Sequence, residues 1–152
     1  MDKGFLNKVL KTAAYLRNDF PRIVGIEAVN HFKESFQNEG FTDKTLVKWK
    51  DVKRRTNPRP SQVGKAGSTR KILTGETGDL GDSLDYNTDY NQMVAITSDV
   101  AYAQAQNEGT TTAGRGNSTT IPKRQFVGDS KQLMDTLNQK LTADLDEIFN
   151  KK

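Results

Sequence analysis

One histidine, His31, and no cysteine stand in the 152-residue chain. Nucleophilic chemistry through a Ser-His or Cys-His pair therefore has one candidate base and no thiol. His31 lies beside Phe32 with no carboxylate constellation near it, which points to a structural imidazole rather than a proton shuttle. Asp85, Asn87 and Asp89 have the spacing that opens a calcium loop. Such a loop needs glycine at its sixth position and a bidentate glutamate at its twelfth; here these are Tyr90 and Ile96, so a hairpin turn is expected instead. Asp79, Asp82 and Asp85 recur at three-residue steps, as acids do on a solvated turn, and form no acid–base pair. The segment GETGDLGDS carries no lysine, and its acids would repel phosphate. VGKAGST has Lys65 but lacks the Gly-Lys-Ser/Thr order of a phosphate loop. Without cysteine there is no disulfide framework and no thiolate zinc or iron–sulfur site. The expectation is a chain that is not an enzyme, with no catalytic, cofactor-binding or metal-ligating residue and no cofactor.

The strongest physical signal is charge. The formal net charge is +4 and the sequence pI about 9.3. Residues 44–71 hold ten basic residues and one acid, a net of +9; elsewhere thirteen basic residues meet eighteen acids, a net of −5. Lys48, Lys50, Lys53, Arg54, Arg55, Arg59, Lys65, Arg70 and Lys71 could neutralise phosphates and release counterions, or dock on an acidic protein. Trp49 is the segment's lone aromatic residue, so base stacking is not suggested.

These residues need a scaffold, and the length suits one domain, 1–152. The hydrophobic fraction is 34% and mean hydropathy −0.76, which predicts long polar segments outside a modest core. Phe5, Leu6, Val9, Leu10, Ala13 and Leu16 predict a helix over 1–20, with a break at Pro21. Ile23, Ile26, Val29, Phe32 and Phe36, with Ala28 alongside, predict a second helix over 22–38, stopped at Gly40. Residues 42–71 read as a basic, flexible arm anchored by Trp49, with Pro58 and Pro60 excluding a helix interior there. A strand at 83–86, a turn at 87–89 and a strand at 92–97 follow, the second strand with one apolar face. AYAQAQNEG reads as a short helix or irregular turn ended by Gly109. Residues 109–120 read as a low-complexity polar loop. Ile121, Pro122 and Phe126 should return the chain to the core, with Arg124 pairing a carboxylate there or at a subunit interface. Asp129 or Ser130 suits an N-cap for the clearest helix, 131–149, whose stripe is Leu133, Met134, Leu137, Leu141, Leu145, Ile148 and Phe149. The fold expected is α+β, with the three helices packed on a small antiparallel sheet and two long polar loops. No apolar stretch approaches ~18 residues, so no membrane span is expected. The opening MDKGFLNKVLK has no long apolar region and no small-residue cleavage site, unlike a signal peptide.

Four stretches in this order resemble the phage virion morphogenesis (tail-completion) family of tailed bacteriophages. The first is the helix ending in Phe32, Phe36, Gly40 and Phe41, followed by Trp49. The second is Ile72-Leu73-Thr74 with Thr77-Gly78-Asp79-Leu80 and Ser83. The third is Val94-Ala95-Ile96 leading to Tyr102-Ala103 and Asn107-Glu108-Gly109. The fourth is Ile121-Pro122-Lys123-Arg124-Gln125-Phe126-Val127-Gly128 before a long closing helix. The resemblance covers about residues 23–149. The chain departs from it at Gln106, where the family often has His, and at Gln125, where Pro-x-Arg-Pro-Phe loses its second proline. Trp49, Gly78, Leu80, Tyr102, Gly109, Pro122, Arg124 and Phe126 are the motif positions carried over, in structural roles. The resemblance implies a small, non-enzymatic α+β virion protein for tail completion or head–tail joining. It implies other neck or tail proteins as partners, a homo-oligomeric ring (a hexamer by analogy), and assembly into the virion in the bacterial host cytoplasm. Packaged DNA is a further possible partner of the basic segment, and a nucleic-acid-binding module is the alternative reading of residues 44–71.

Overall fold

A computed structural model describes residues 2–89 and 93–150. Its fold is α+β. The chain opens on α1 (Lys3–Ala14), N-capped by Asp2, whose carboxylate accepts from the Gly4 N–H at 2.9 Å. A π-helical turn, Tyr15–Asp19, then leads without interruption into α2 (Phe20–Asn38). The break expected at Pro21 is absent for a local reason. Pro21 occupies the start of α2, and the preceding turn is widened so that the Phe20 N–H reaches back five residues to the Tyr15 carbonyl. Widening accommodates a ring that would otherwise crowd the carbonyl four residues earlier.

The first helix does not join the core. No residue of α1 is buried. The buried face of α2 is Pro21, Gly25, Ala28, Phe32, Ser35 and Phe36. Ile26, expected on that face, is 44% exposed. The reason is Gly25: a Cβ there would lie 2.1 Å from the Tyr86 ring, so the helix turns its smallest residue toward the strands and Ile26 rotates outward. The stop also falls one residue early. Glu39 takes the left-handed conformation (φ 50°) that ends α2, and Gly40 already belongs to the next strand.

The expected small sheet is three separate antiparallel hairpins. β1 (Gly40–Thr42) pairs with β2 (Leu46–Lys48), Phe41 opposite Val47. β3 (Asp85–Thr88) pairs with β4 (Val94–Thr97), Tyr86 opposite Ile96. Asn87 and Thr88, read as turn, are therefore strand; of the second expected strand, Gln92 lies outside the described residues. Val94 and Ile96 are half-buried while Ala95 and Thr97 are exposed, so the strand does have one inward apolar face. β5 (Thr110–Ala113) and β6 (Thr119–Ile121) form the third hairpin. It occupies what reads in sequence as a polar loop: its threonines are β-branched and suit a solvated strand pair.

Between the first two hairpins the basic segment is folded. It contains the helical turns α3 (Lys53–Thr56) and α4 (Ala66–Thr69), with a 3₁₀ turn at Pro60–Gln62. α5 (Asp79–Asp82) follows Gly78, whose φ of 85° suits glycine. α6 (Ala103–Glu108) ends at Gly109, φ 78°, where a Cβ would lie 2.7 Å from the Lys123 nitrogen. α7 (Lys131–Asn150) begins beyond Ser130, whose Oγ accepts from the Leu133 N–H at 3.2 Å and donates to the Thr42 carbonyl at 2.8 Å. Phe32, Phe36, Phe41, Leu80, Leu84, Phe126, Leu133 and Leu137 make one core, with Phe126 and Leu80 at 2% exposure its most enclosed members.

Candidate interaction surface

The nine basic candidates divide into two groups. Five are bound to the protein itself. The Arg54 guanidinium donates to the carbonyls of Gly67 (2.8 Å), Arg70 (3.0 Å) and Lys71 (2.9 Å), closing α3 against α4. Arg55 pairs with Glu39 at 2.5 Å and with Asp51 at 3.3 Å. Arg70 reaches Glu76 at 3.4 Å. Lys71 Nζ donates to the carbonyl and the side-chain oxygen of Gln37, both at 3.0 Å. Lys48 Nζ donates to the Asn38 carbonyl at 2.5 Å. The segment that composition alone describes as a flexible arm is thus tied back at several points, and the ties come from its own arginines and two of its lysines. The side chains of Lys50, Lys53, Arg59 and Lys65 make no hydrogen bond or ion pair among the described residues and are left to solvent or a partner.

Glu39 organises the root of this segment. Its carboxylate takes both Arg55 and the Ile72 N–H (2.7 Å), and its carbonyl accepts from the Trp49 N–H at 2.8 Å. The left-handed turn that ends α2 aims that carboxylate at both ends of the excursion. Trp49 fixes the near end: its Nε1 donates to the Gln125 carbonyl at 2.7 Å, and its ring packs edge-on to Phe36, 5.8 Å between centroids. Phe36 in turn meets Phe126 at 5.1 Å.

The 124–127 strand-like return is held from the other side by Asn107. Its Oδ1 accepts from the N–H groups of Phe126 (2.8 Å) and Val127 (3.0 Å), while the Arg124 N–H donates to the Gln106 carbonyl at 2.9 Å. Arg124 is buried, 8% exposed. Among the described residues it pairs with no carboxylate in the core: its guanidinium donates to the Lys50 carbonyl at 3.4 Å, and its Nε has no partner there. Burial lowers its pKa, the nearby Arg54 charge lowers it further, and Asp51 opposes both.

Trp49, Leu80, Arg124 and Phe126 therefore meet in or beside one junction, with Gly78 and Gly109 shaping the turns that lead to it. Tyr102 is half-exposed before α6, and Pro122 is exposed. Beside the junction is a groove of about 490 Å³ whose lining includes Lys48, Lys50 and Lys123, Asp43 and Asp129, and Trp49. Hydropathy patterning singled out neither Glu39 nor Asn107, although Asn107 stands in the third stretch of the resemblance; both hold backbone N–H groups, and such contacts leave no periodic trace.

His31 Nε2 lies 3.1 Å from the Thr42 carbonyl oxygen, with its ring edge-on to Phe32 and Phe41. Asp85 and Asp89 accept backbone N–H groups of Tyr86 and Met93 within their hairpin. Among the described residues no group of three or more His, Asp or Glu could hold a metal ion, and no helix is long and apolar enough to cross a membrane. Compared with protein-family models, curated proteins and solved structures, the chain matches none.

Proposed function

We propose that this chain is a non-enzymatic phage virion protein that completes the tail or joins it to the head, acting in a homo-oligomeric ring with other neck or tail proteins. One observation carries the reading beyond the sequence resemblance. The four stretches that resemble the tail-completion family, separated by up to about a hundred residues, converge. Phe36 packs on Trp49 and Phe126, Trp49 bonds Gln125, Asn107 bonds Phe126 and Val127, and Leu80 of the second stretch lies in the same core. A shared structural role for these motifs requires that convergence. The charge pattern supports the same reading: four free cations on a folded projection offer a surface for an acidic neighbour. The test is deletion of the gene from its resident phage or prophage and electron microscopy of the induced lysate. Tailless heads and free tails are expected; intact, infectious particles would overturn the proposal.

The free cations also favour a second reading, contact with the DNA backbone. Four phosphate contacts by Lys50, Lys53, Arg59 and Lys65 predict a log–log salt slope of about −3.6. Nine contacts would give about −8, and no measurable binding at physiological salt removes this reading.

A further inference from the structure

We propose that α1 packs its outward apolar stripe against α1 of a second copy of this chain. The helix is amphipathic but faces the wrong way for a core helix. Its half-buried residues are Lys8 and Thr12, and Tyr15 follows just beyond its end. Lys8 Nζ donates to the Phe149 carbonyl, and the Tyr15 hydroxyl to Asp144, so the polar side of α1 is the side that meets α7. Phe5 (57% exposed), Leu6 (43%), Val9 (40%), Leu10 (59%) and Leu16 (38%) are left in solvent, with exposed Ala13 among them.

The spacing of that stripe selects a helix as its occupant. Leu6, Val9 and Ala13 recur at three and four residues, the spacing of a two-helix seam, Leu16 continues it from the π-helical turn just beyond α1, and Phe5 and Leu10 flank it. Two equal seams are mutually complementary, which is the condition for an isologous pair. The area sets the scale of the pairing. The stripe exposes roughly 450 Å² of side chain, in the ~300–600 Å² range of a monomer's largest apolar patch, which is often functional. Pairing two copies would remove at most about 900 Å² of it, so the polar rim must supply the rest of the ~1,200 Å² that specific association needs, and a weak, exchanging pair is expected. A membrane surface is the less suited occupant. Lys8 and Lys11 point to the α7 side, where they line a groove with Asp144 and Glu147. A surface-seeking helix instead rings its apolar face with cations.

The inference does not rest on the phage reading, and the test reads association rather than assembly of particles. Sedimentation of the full chain should show monomer–dimer exchange in the micromolar range. Leu10→Glu, at an already exposed position, should weaken association at least tenfold with unchanged circular dichroism; Phe5→Lys should do the same. Val63→Glu, equally exposed but on the basic segment, should leave it unaltered. The chain has no cysteine, so the variant carrying both Val9→Cys and Ala13→Cys should give a disulfide-linked dimer on oxidation whichever way the helices run, and Val63→Cys should not. A monomer at every concentration, association indifferent to Leu10→Glu and Phe5→Lys, or binding to anionic vesicles without self-association would each overturn the proposal.

Discussion

Arg54→Ala should open the basic segment without unfolding the domain. The wild-type guanidinium holds three carbonyls, those of Gly67, Arg70 and Lys71, at 2.8, 3.0 and 2.9 Å. A hydrogen bond to a charged group is worth about 1.5–3 kcal/mol when enclosed. Two of these three are exposed to water, so about 1 kcal/mol each is the better figure, or about 3 kcal/mol in all. At about 1.4 kcal/mol per decade, the closed form of residues 53–71 should lose roughly a hundredfold in population. Amide hydrogen exchange should then accelerate by about two decades at 66–71 while the core amides of α2 and α7 keep their protection. Trypsin should cut first after Lys65, since Pro60 protects the bond after Arg59. Arg54→Lys should fall close to Arg54→Ala, because an ammonium cannot fork across three diverging carbonyls. Unchanged exchange at 66–71 in Arg54→Ala would refute the reasoning, and loss of protection throughout the domain would show that the segment is part of the core.

Three further outcomes test the interior. Gly25→Ala brings a methyl within 2.1 Å of the Tyr86 ring and should cost about 1–3 kcal/mol, read as a lower midpoint in thermal unfolding; its effect should shrink in a Tyr86→Ala background, and strict additivity would disprove the contact. Asn107→Ala orphans the Phe126 and Val127 N–H groups and should cost about 2–4 kcal/mol by denaturant titration, whereas Asn107→Asp keeps the acceptor and should cost much less. Burial first, then the hydrogen bond to Asp144 and the charges of Asp144 and Asp19, raise the Tyr15 pKa above its ordinary 10.0. The neutral phenol therefore stabilises the fold fully below pH 10 and loses that contribution only as pH rises further. In an alkaline absorbance titration Tyr15 should titrate above its ordinary range, and Asp144→Asn should lower its midpoint.

What patterning could read was the burial of long apolar periods. The Phe32–Phe36 spacing of α2 and the Leu133–Leu137 spacing of α7 follow from period 3.6 alone, and a cap at Asp129 or Ser130 was legible from its place before that stripe, Ser130 being the one used. Two kinds of feature were not legible. The first is set by shape: Gly25 faces inward because Tyr86 needs the space, and no hydrophobicity count places a glycine there. The second is set by which neighbour arrives. Phe5, Leu6, Val9, Leu10 and Leu16 predict an amphipathic helix correctly, but α7 meets that helix through Lys8 and Tyr15 instead. Periodicity states that an apolar face exists and says nothing of what covers it.

The same distinction governs the basic segment. Summed charge treats arginine and lysine as equal, yet they divide unequally here. Of the nine, Arg54, Arg55 and Arg70 are engaged with the protein and Arg59 is not; Lys48 and Lys71 are engaged, while Lys50, Lys53 and Lys65 are not. The planar fork reaches two or three acceptors at once, so one arginine can close a loop that has too little apolar surface to close itself. The three unengaged lysines, with a compact and strongly hydrated charge, are left outward together with Arg59. A segment poor in hydrophobic residues is therefore folded by part of its own charge, and presents the rest. The +9 of residues 44–71 is two quantities, an internal scaffold and an external surface, and a partner can exchange contacts with the second while leaving the first intact.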